Sequence, residues 1–314
     1  MIKITDLKTG RELNKRIPFI AALGDFDGVH LGHRAVVERT VAAARSARIA
    51  GAAWFFDDSP KAQGERLSDS EEKEKIFKSL GLDLSMRESF DEVKLLSPEE
   101  FVKDYLTGLG CRGIVCGFNF RFGKGRAGDK DVLERLCGEA GILFHAEEPV
   151  SVNGTTVSST SIRAMLTAGD VQGAAEMLGR SYSVCTEVTH GRTLGSKFGF
   201  PTINQNFIPG RVIPRHGVYF TYTNVDGERM PSVSNVGSRP TVGGHSCRLE
   251  THILNRDVDL YGKRPEVSFI KFRRPEKSFG GEEELISAVR ADVAAAEDFF
   301  ASEEKGGPGH ENNE

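Results

Sequence analysis

The spacing of apolar residues changes several times along the chain, and each change marks an element. Ile17-Pro18-Phe19-Ile20-Ala21-Ala22-Leu23 is a short apolar run and reads as a buried strand. Residues 24–33 lack any such pattern and read as a loop. Over 34–49, Val36, Val37, Val41, Ala44 and Ala47 recur at helical spacing, ending before Gly51. Ala52-Ala53-Trp54-Phe55-Phe56 is a second strand. Strand, glycine loop, helix and strand predict a βαβ unit with a parallel sheet. Ser68 with Glu71 fits a capping box before a helix that stops at Gly81. Ser97-Pro98-Glu99-Glu100 gives another N-cap, with proline at the first helical position. Residues 113–116 read as a strand, 132–138 as a helix and 142–145 as extended. This half is expected to be a doubly wound α/β domain.

Two short helices follow, near 160–167 and 171–178, punctuated by Gly169 and Gly179. Then the texture changes. Residues 212–225, 232–236, 249–254 and 267–272 alternate or run apolar, with Gly, Pro and Asp-Gly turns between them. Short strands separated by turns predict an antiparallel β-barrel, closed by one helix over 282–300. Residues 303–314 are polar and expected to be disordered. The boundaries expected are 1–180, 181–302 and the tail 303–314.

Composition narrows the functional classes. A length of 314 residues suits about two domains. With 41 basic and 45 acidic residues the net charge is -4, against the basic excess usual for a nucleic-acid partner. No apolar run approaches the ~20 residues that span a bilayer, and Met1-Ile2-Lys3-Ile4-Thr5-Asp6 lacks an apolar signal core. The five cysteines form no Cys-x-x-Cys pair and read as buried thiols, so a cytoplasmic protein is expected. Glycine is in excess, 35 residues against a usual share of about 7%. The excess belongs in turns or ligand loops.

Two glycine-rich stretches carry the candidate chemistry. Gly24-Asp25-Phe26-Asp27-Gly28-Val29-His30-Leu31-Gly32-His33 joins a buried strand to a helix. Backbone N–H groups at a helix start attract phosphate. His30 and His33, three apart, can point both imidazoles at one phosphate and stabilise the charge that builds as pyrophosphate leaves. The second stretch, His190-Gly191-Arg192-Thr193-Leu194-Gly195-Ser196-Lys197-Phe198-Gly199-Phe200-Pro201-Thr202-Ile203-Asn204, is not a Walker A loop, because no Gly-Lys-Ser/Thr ending occurs. Four basic residues and no acid lie between Arg112 and Arg126, which draws anions.

The 24–33 loop closely resembles the nucleotide loop of prokaryotic bifunctional riboflavin kinase/FAD synthetases. Residues 117–129, with Gly117-Phe118-Asn119-Phe120-Arg121-Phe122-Gly123, resemble that family's second signature, and Ser158-Ser159-Thr160-Ser161-Ile162-Arg163 its third. Pro201-Thr202-Ile203-Asn204 resembles the riboflavin kinase signature, with Ile203 in place of the usual alanine. The resemblance covers nearly the whole chain apart from the tail. It implies a nucleotidyltransferase domain that joins ATP and FMN, and a kinase domain that phosphorylates riboflavin. It implies that His30 and His33 meet the ATP phosphates, with Gly24, Phe26, Asp27 and Gly28 in the binding loop. Asn119 and Arg121 would lie on the FMN side, and Ser159, Thr160 and Arg163 would bind phosphates. Thr202 and Asn204 would hold Mg²⁺ and ATP phosphates, and Gly191, Gly195 and Gly199 would let their loop cover the nucleotide. Glu250, in Arg248-Leu249-Glu250-Thr251-His252, matches the family's catalytic base; the residues alone also allow an exposed strand charge.

Two departures stand out. Asp25 replaces a frequent asparagine, and Phe55-Phe56-Asp57-Asp58-Ser59-Pro60 lacks the histidine usual after that strand. Two alternatives to the bifunctional reading therefore stay open: a riboflavin kinase with an impaired adenylyltransferase domain, and a non-catalytic flavin or nucleotide sensor. The expected partners are riboflavin, FMN and ATP, with no nucleic acid and no membrane, in a monomer or transient homo-oligomer.

Overall fold

The computed structural model describes residues 2–4, 17–56, 65–190, 198–241, 244–256 and 258–306. Contacts divide the chain into two units: Met1–Ile162 with Met177–Gly179, and Arg163–Glu176 with Arg180–Glu314.

The first unit is built on six strands, β1 (Ile2–Ile4), β2 (Phe19–Leu23), β3 (Ala50–Phe56), β4 (Leu84–Glu88), β5 (Cys111–Gly117) and β6 (Leu143–Glu147). All are parallel and lie in the order β1-β4-β3-β2-β5-β6. Successive side chains leave a strand on opposite faces. Phe19, Ala21 and Leu23 of β2 accordingly enter one core with Trp54, Met86 and Phe101. Ile20 and Ala22 enter the other core, against Val36, Val37 and Val41 of helix α1 (Leu31–Ala47) and Phe77 of helix α2 (Ser70–Ser79). Burial on both faces explains why β2 reads as an unbroken apolar run. The chain builds outward through β3 and β4, then returns to place β5 on the other side of β2. Leu23 pairs with Cys116, so the loops after β2 and β5 leave the sheet side by side at this reversal. Open α/β sheets bind ligands at such a switch point, beyond the carboxyl ends of the strands.

A small antiparallel pair, β7 (Ser151–Val152) and β8 (Thr155–Thr156), follows β6. The second unit carries an antiparallel sheet of β9 (Ser183–Cys185), β10 (Val188–Thr189), β11 (Ile203–Asn206), β12 (Gly217–Val225), β13 (Glu228–Thr241), β14 (Gly244–Ile253) and β15 (Glu266–Pro275), in the order β10-β11-β14-β13-β12-β15-β9. It curls as the barrel class requires, and no ladder joins β10 to β9 among the described residues. Phe220 and Leu254 pack on Ala296 and Phe300 of the last helix, Glu282–Gly306. Arg274 grips the buried Asp292 of that helix with Nε and Nη2 at 3.0 and 2.6 Å from Oδ2. Within the second unit, the Leu166 carbonyl of the short helix Ser159–Ala168 accepts from Arg215 N–H at 2.9 Å.

Some local expectations shift. The capping box before α2 is Asp69 with Glu72, one residue later than Ser68 with Glu71, because Ser68 is engaged by Gly28 N–H. The box at Ser97 forms: Glu100 N–H donates to Ser97 Oγ at 3.1 Å, and Ser97 N–H to Glu100 Oε2 at 2.7 Å. The helix after it continues as a π-helix over Glu100–Leu106. Ile203 and Asn204, which end the glycine-rich stretch, open a strand, Ile203–Asn206. The last helix runs past the expected 300 to Gly306, and the rest of the tail lies outside the described residues.

Candidate active sites

The loop after β2 is held from three directions. Asp27 is 8% exposed, and its Oδ1 accepts from the backbone N–H of Leu67 at 2.8 Å and of Ser68 at 3.4 Å. Gly28 N–H donates to Ser68 Oγ at 2.9 Å. Ser159 Oγ donates to the Asp27 carbonyl at 2.9 Å, and the buried Lys73 ammonium to the Asp25 carbonyl at 2.8 Å. These anchors hold positive φ at Phe26 (52°), Gly28 (80°) and Val29 (39°). Left-handed backbone at a β-branched residue persists only where its surroundings enforce it, and functional sites are where it collects.

This loop presents the histidine pair. His30 caps α1: its Nδ1 accepts from His33 N–H at 3.3 Å. An acceptor at Nδ1 leaves Nε2 as the N–H donor of the neutral ring. The two imidazoles stack with centroids 3.6 Å apart and an interplanar angle of 16°. The buried Phe26 ring meets His33 edge-on at 5.3 Å. A Cβ on Gly32 would lie 3.3 Å from His30 Cε1, and one on Gly24 3.1 Å from the Phe26 ring. Gly24 and Gly32 therefore make room for rings, and a binding role for Phe26 or Asp27 would run through the main chain.

The loop after β5 lies alongside. Phe122 and Gly128 bridge, and a Cβ on Gly128 would sit 2.4 Å from the Phe122 ring. Asn119 and Phe118 are exposed at its start. Arg121 pairs with Asp129 at 3.1 Å. The Val132 N–H, with Arg121 beside it, holds the Asp129 carboxyl below the usual carboxylate range. Thr160 is exposed, and the half-buried Arg163 groups with the second unit. The thiols of Cys111, Cys116 and Cys137 are pushed up to about 12 by burial, so they stay protonated and inert. The stretch that lacks the usual histidine, 57–60, lies outside the described residues.

In the second unit register assembles the site. Asn204 of β11 pairs with Glu250 of β14, and Glu250 pairs with Asn235 of β13. Paired residues share a face, so these three side chains form one row across three strands. Asn204 is 5% exposed; its Nδ2 donates to the Thr202 carbonyl at 3.3 Å, and its buried Oδ1 has no hydrogen-bond partner among the described residues. An orphaned amide oxygen beside Thr202 fits a hard cation such as Mg²⁺. His252 Nδ1 donates to the Pro201 carbonyl at 2.8 Å, fixing the chain just before Thr202. A cavity of about 200 Å³ opens beside Thr202, with Val188, Ile203, Ile253 and Leu260 as apolar walls. Gly199 has φ of 82°, and a Cβ there would meet nothing within 4 Å among the described residues. Gly191, Gly195 and the Arg239 side chain lie outside the described residues. The stretch that opens Asn235-Val236-Gly237 looks like the family's in sequence but reads only as a turn and loop support, whereas register sets Asn235 in the row. Lys73 and the 67–68 brace carry no sequence motif.

Residues 13–161 match the FAD synthetase family model and residues 178–300 the riboflavin kinase model. The bifunctional riboflavin kinase/FMN adenylyltransferase of Pseudomonas fluorescens is 35% identical over 286 residues, which is 88% of this chain and 91% of that one. The chain belongs to the bifunctional riboflavin kinase/FMN adenylyltransferase family. The family's protein from Escherichia coli K12 is 33% identical over 293 residues, 90% of this chain and 92% of its own length. A solved structure titled as a macrolide-efflux protein from Streptococcus pneumoniae shares the fold, with a TM-score of 0.82, 24% identity and coverage of 94% of this chain and 98% of that one. Both of the family's domains are thus present in this chain, and the described sites fall one in each.

Proposed function

We propose that the second unit transfers the terminal phosphoryl group of ATP to the 5′-hydroxyl of riboflavin, giving FMN and ADP. The first unit then transfers AMP from ATP to FMN, giving FAD and pyrophosphate. The observation that carries this reading is the stacked His30–His33 pair at the switch point of one sheet, together with the Asn204–Glu250–Asn235 row in the other.

In the first unit the FMN phosphate is already anionic and attacks without deprotonation. His30 Nε2–H and His33 stabilise charge on the α-phosphate, and the N-terminus of α1 adds its backbone donors. Asn119 and Arg121 hold FMN, and Ser159, Thr160 and Arg163 hold phosphates. In the second unit Glu250 takes the riboflavin hydroxyl proton. Thr202 and Asn204 would hold Mg²⁺, which neutralises phosphate charge when bound. Gly191, Gly195 and Gly199 let the loop close over ATP. A monomer or transient homo-oligomer in the cytoplasm, acting on riboflavin, FMN and ATP with no nucleic-acid partner, completes the proposal. Among the described residues no helix is long and apolar enough to cross a membrane.

Incubation with riboflavin and Mg·ATP, followed by chromatographic separation of the flavins, tests it. His33→Ala should abolish FAD and spare FMN. Glu250→Gln should abolish FMN formation and spare FAD made from supplied FMN. Loss of both activities from either change overturns the two-site reading. FMN without FAD from the wild type would single out the impaired-adenylyltransferase alternative. Against that alternative, Lys73 sets a buried cation on the main chain of the residue where Asp25 adds its carboxylate.

A further inference from the structure

The curled sheet of the second unit encloses a chain of hydroxyls. Thr221 Oγ1 and Ser234 Oγ are 2.8 Å apart, and Ser234 Oγ and Thr251 Oγ1 are 2.7 Å apart. Thr221 and Ser234 are fully buried and Thr251 is 1% exposed. Thr251 lines the cavity beside Thr202. Three hydroxyls supply three hydrogens for two bonds, so one hydrogen is left over, and its place depends on the direction of the chain. A neighbouring pair shows the closed case: Thr223 Oγ1 is 2.8 Å from Ser232 Oγ, and Ser232 donates onward to the Met230 carbonyl at 3.1 Å. The Thr221 chain has no such terminal acceptor among the described residues. If the bonds ran from Thr251 towards Thr221, the spare hydrogen would be left on the buried Thr221, away from the cavity. If Ser234 accepted both, its own hydrogen would be left away from the cavity too. Leaving a buried donor unsatisfied forfeits its hydration with nothing in return. Only the direction Thr221 to Ser234 to Thr251 delivers the spare hydrogen to the cavity.

We infer that Thr251 is a specificity-determining hydrogen-bond donor of this cavity, polarised by Ser234 and Thr221. It selects a planar heteroaromatic ring with an acceptor nitrogen or oxygen at its edge. Val188, Ile203, Ile253 and Leu260 supply the apolar walls that such a ring needs. The adenine of ATP and the isoalloxazine of riboflavin both carry this chemistry. The inference rests on the kinase reading for the identity of the two substrates.

The test is steady-state FMN formation by the full chain, with KM for ATP and KM for riboflavin measured separately. Thr251→Val removes the hydroxyl at nearly constant shape. It should raise one of the two KM values about five- to tenfold, with kcat held within about twofold, and the KM that moves names the ring. Thr251→Ser should restore the wild-type value. Ser234→Ala, which does not line the cavity, should reproduce part of the same shift. Unchanged KM values, equal rises in both, or a fall in kcat alone would overturn the inference, as would a Thr251→Ser protein no better than Thr251→Val. Calorimetric titration of wild type and variants with ADP and with riboflavin reads the same shift without turnover. An inactive wild type refutes the kinase reading, whereas equal Kd values for wild type and variants refute the role of Thr251.

Discussion

Gly32 sits inside the first turn of α1, where alanine would ordinarily favour the helix by about 1 kcal/mol. Its lack of a side chain is used by the His30 ring, whose Cε1 would lie 3.3 Å from an added Cβ. Gly32→Ala should therefore raise the helix's intrinsic stability and push the ring aside by a few tenths of an ångström. Catalytic groups tolerate such displacement poorly. FAD formation should fall about tenfold, FMN formation should hold, and the melting temperature should not drop. A rate assay beside a thermal scan checks all three. His252 illustrates a positioning residue in the other unit. Its bond to the Pro201 carbonyl ties down the residue before Thr202. Deleting it in His252→Ala removes about 1 kcal/mol of organisation, so KM for ATP in FMN formation should rise about fivefold while FAD formation from supplied FMN stays unchanged.

At the scale of elements, one side chain can carry a fold role beside the reaction role proposed for it. His30 closes the N-terminus of α1 through Nδ1, and the proposed chemistry uses its other nitrogen. Asparagine is a good N-cap but lacks the imidazole, and alanine is neither. His30→Ala should destabilise the first unit by about 1 kcal/mol, lowering its thermal transition by roughly 2–4 °C, and abolish FAD formation. His30→Asn should abolish FAD formation with most of the thermal loss recovered. Circular dichroism melts with the flavin assay separate the two roles. The elements differ in how far sequence reveals them. β2, α1 and β3 were legible because burial on two faces and helical periodicity are local signals. β11 was not, because Ile203–Asn206 has only four residues and its pairing partner, β14, is some forty residues away. The Asp27 brace was equally hidden, since its partners Leu67 and Ser68 are forty and forty-one residues distant. The motif residues could be picked out one by one, whereas the row joining Asn204, Glu250 and Asn235 exists only through strand register.

Over the whole molecule, the two candidate sites differ in construction, one on a parallel sheet and one on an antiparallel sheet. Gly24, Gly28 and Gly32 serve close packing in the first, against Phe26, Leu67 and His30 respectively. Each unit has its own apolar clusters, so a change confined to one site should leave the other's chemistry intact. Metal dependence gives the sharpest form of this expectation. Asn204 Oδ1 is a buried oxygen with no hydrogen-bond partner among the described residues, and Mg²⁺ binding through few protein oxygens is sensitive to losing one. Asn204→Ala removes that oxygen and the amide bond to the Thr202 carbonyl together. Asn204→Asp keeps an oxygen in place and adds charge that favours the cation. Full Mg²⁺ titrations of both reactions, starting from EDTA-stripped protein, should show the half-saturating Mg²⁺ for FMN formation rising at least tenfold in Asn204→Ala. In Asn204→Asp it should rise far less. The titration curve for FAD formation from supplied FMN should be the same in all three proteins. A parallel shift of both curves would mean that the two reactions share a metal requirement that Asn204 does not govern, and the assignment of Asn204 to the kinase metal would fail.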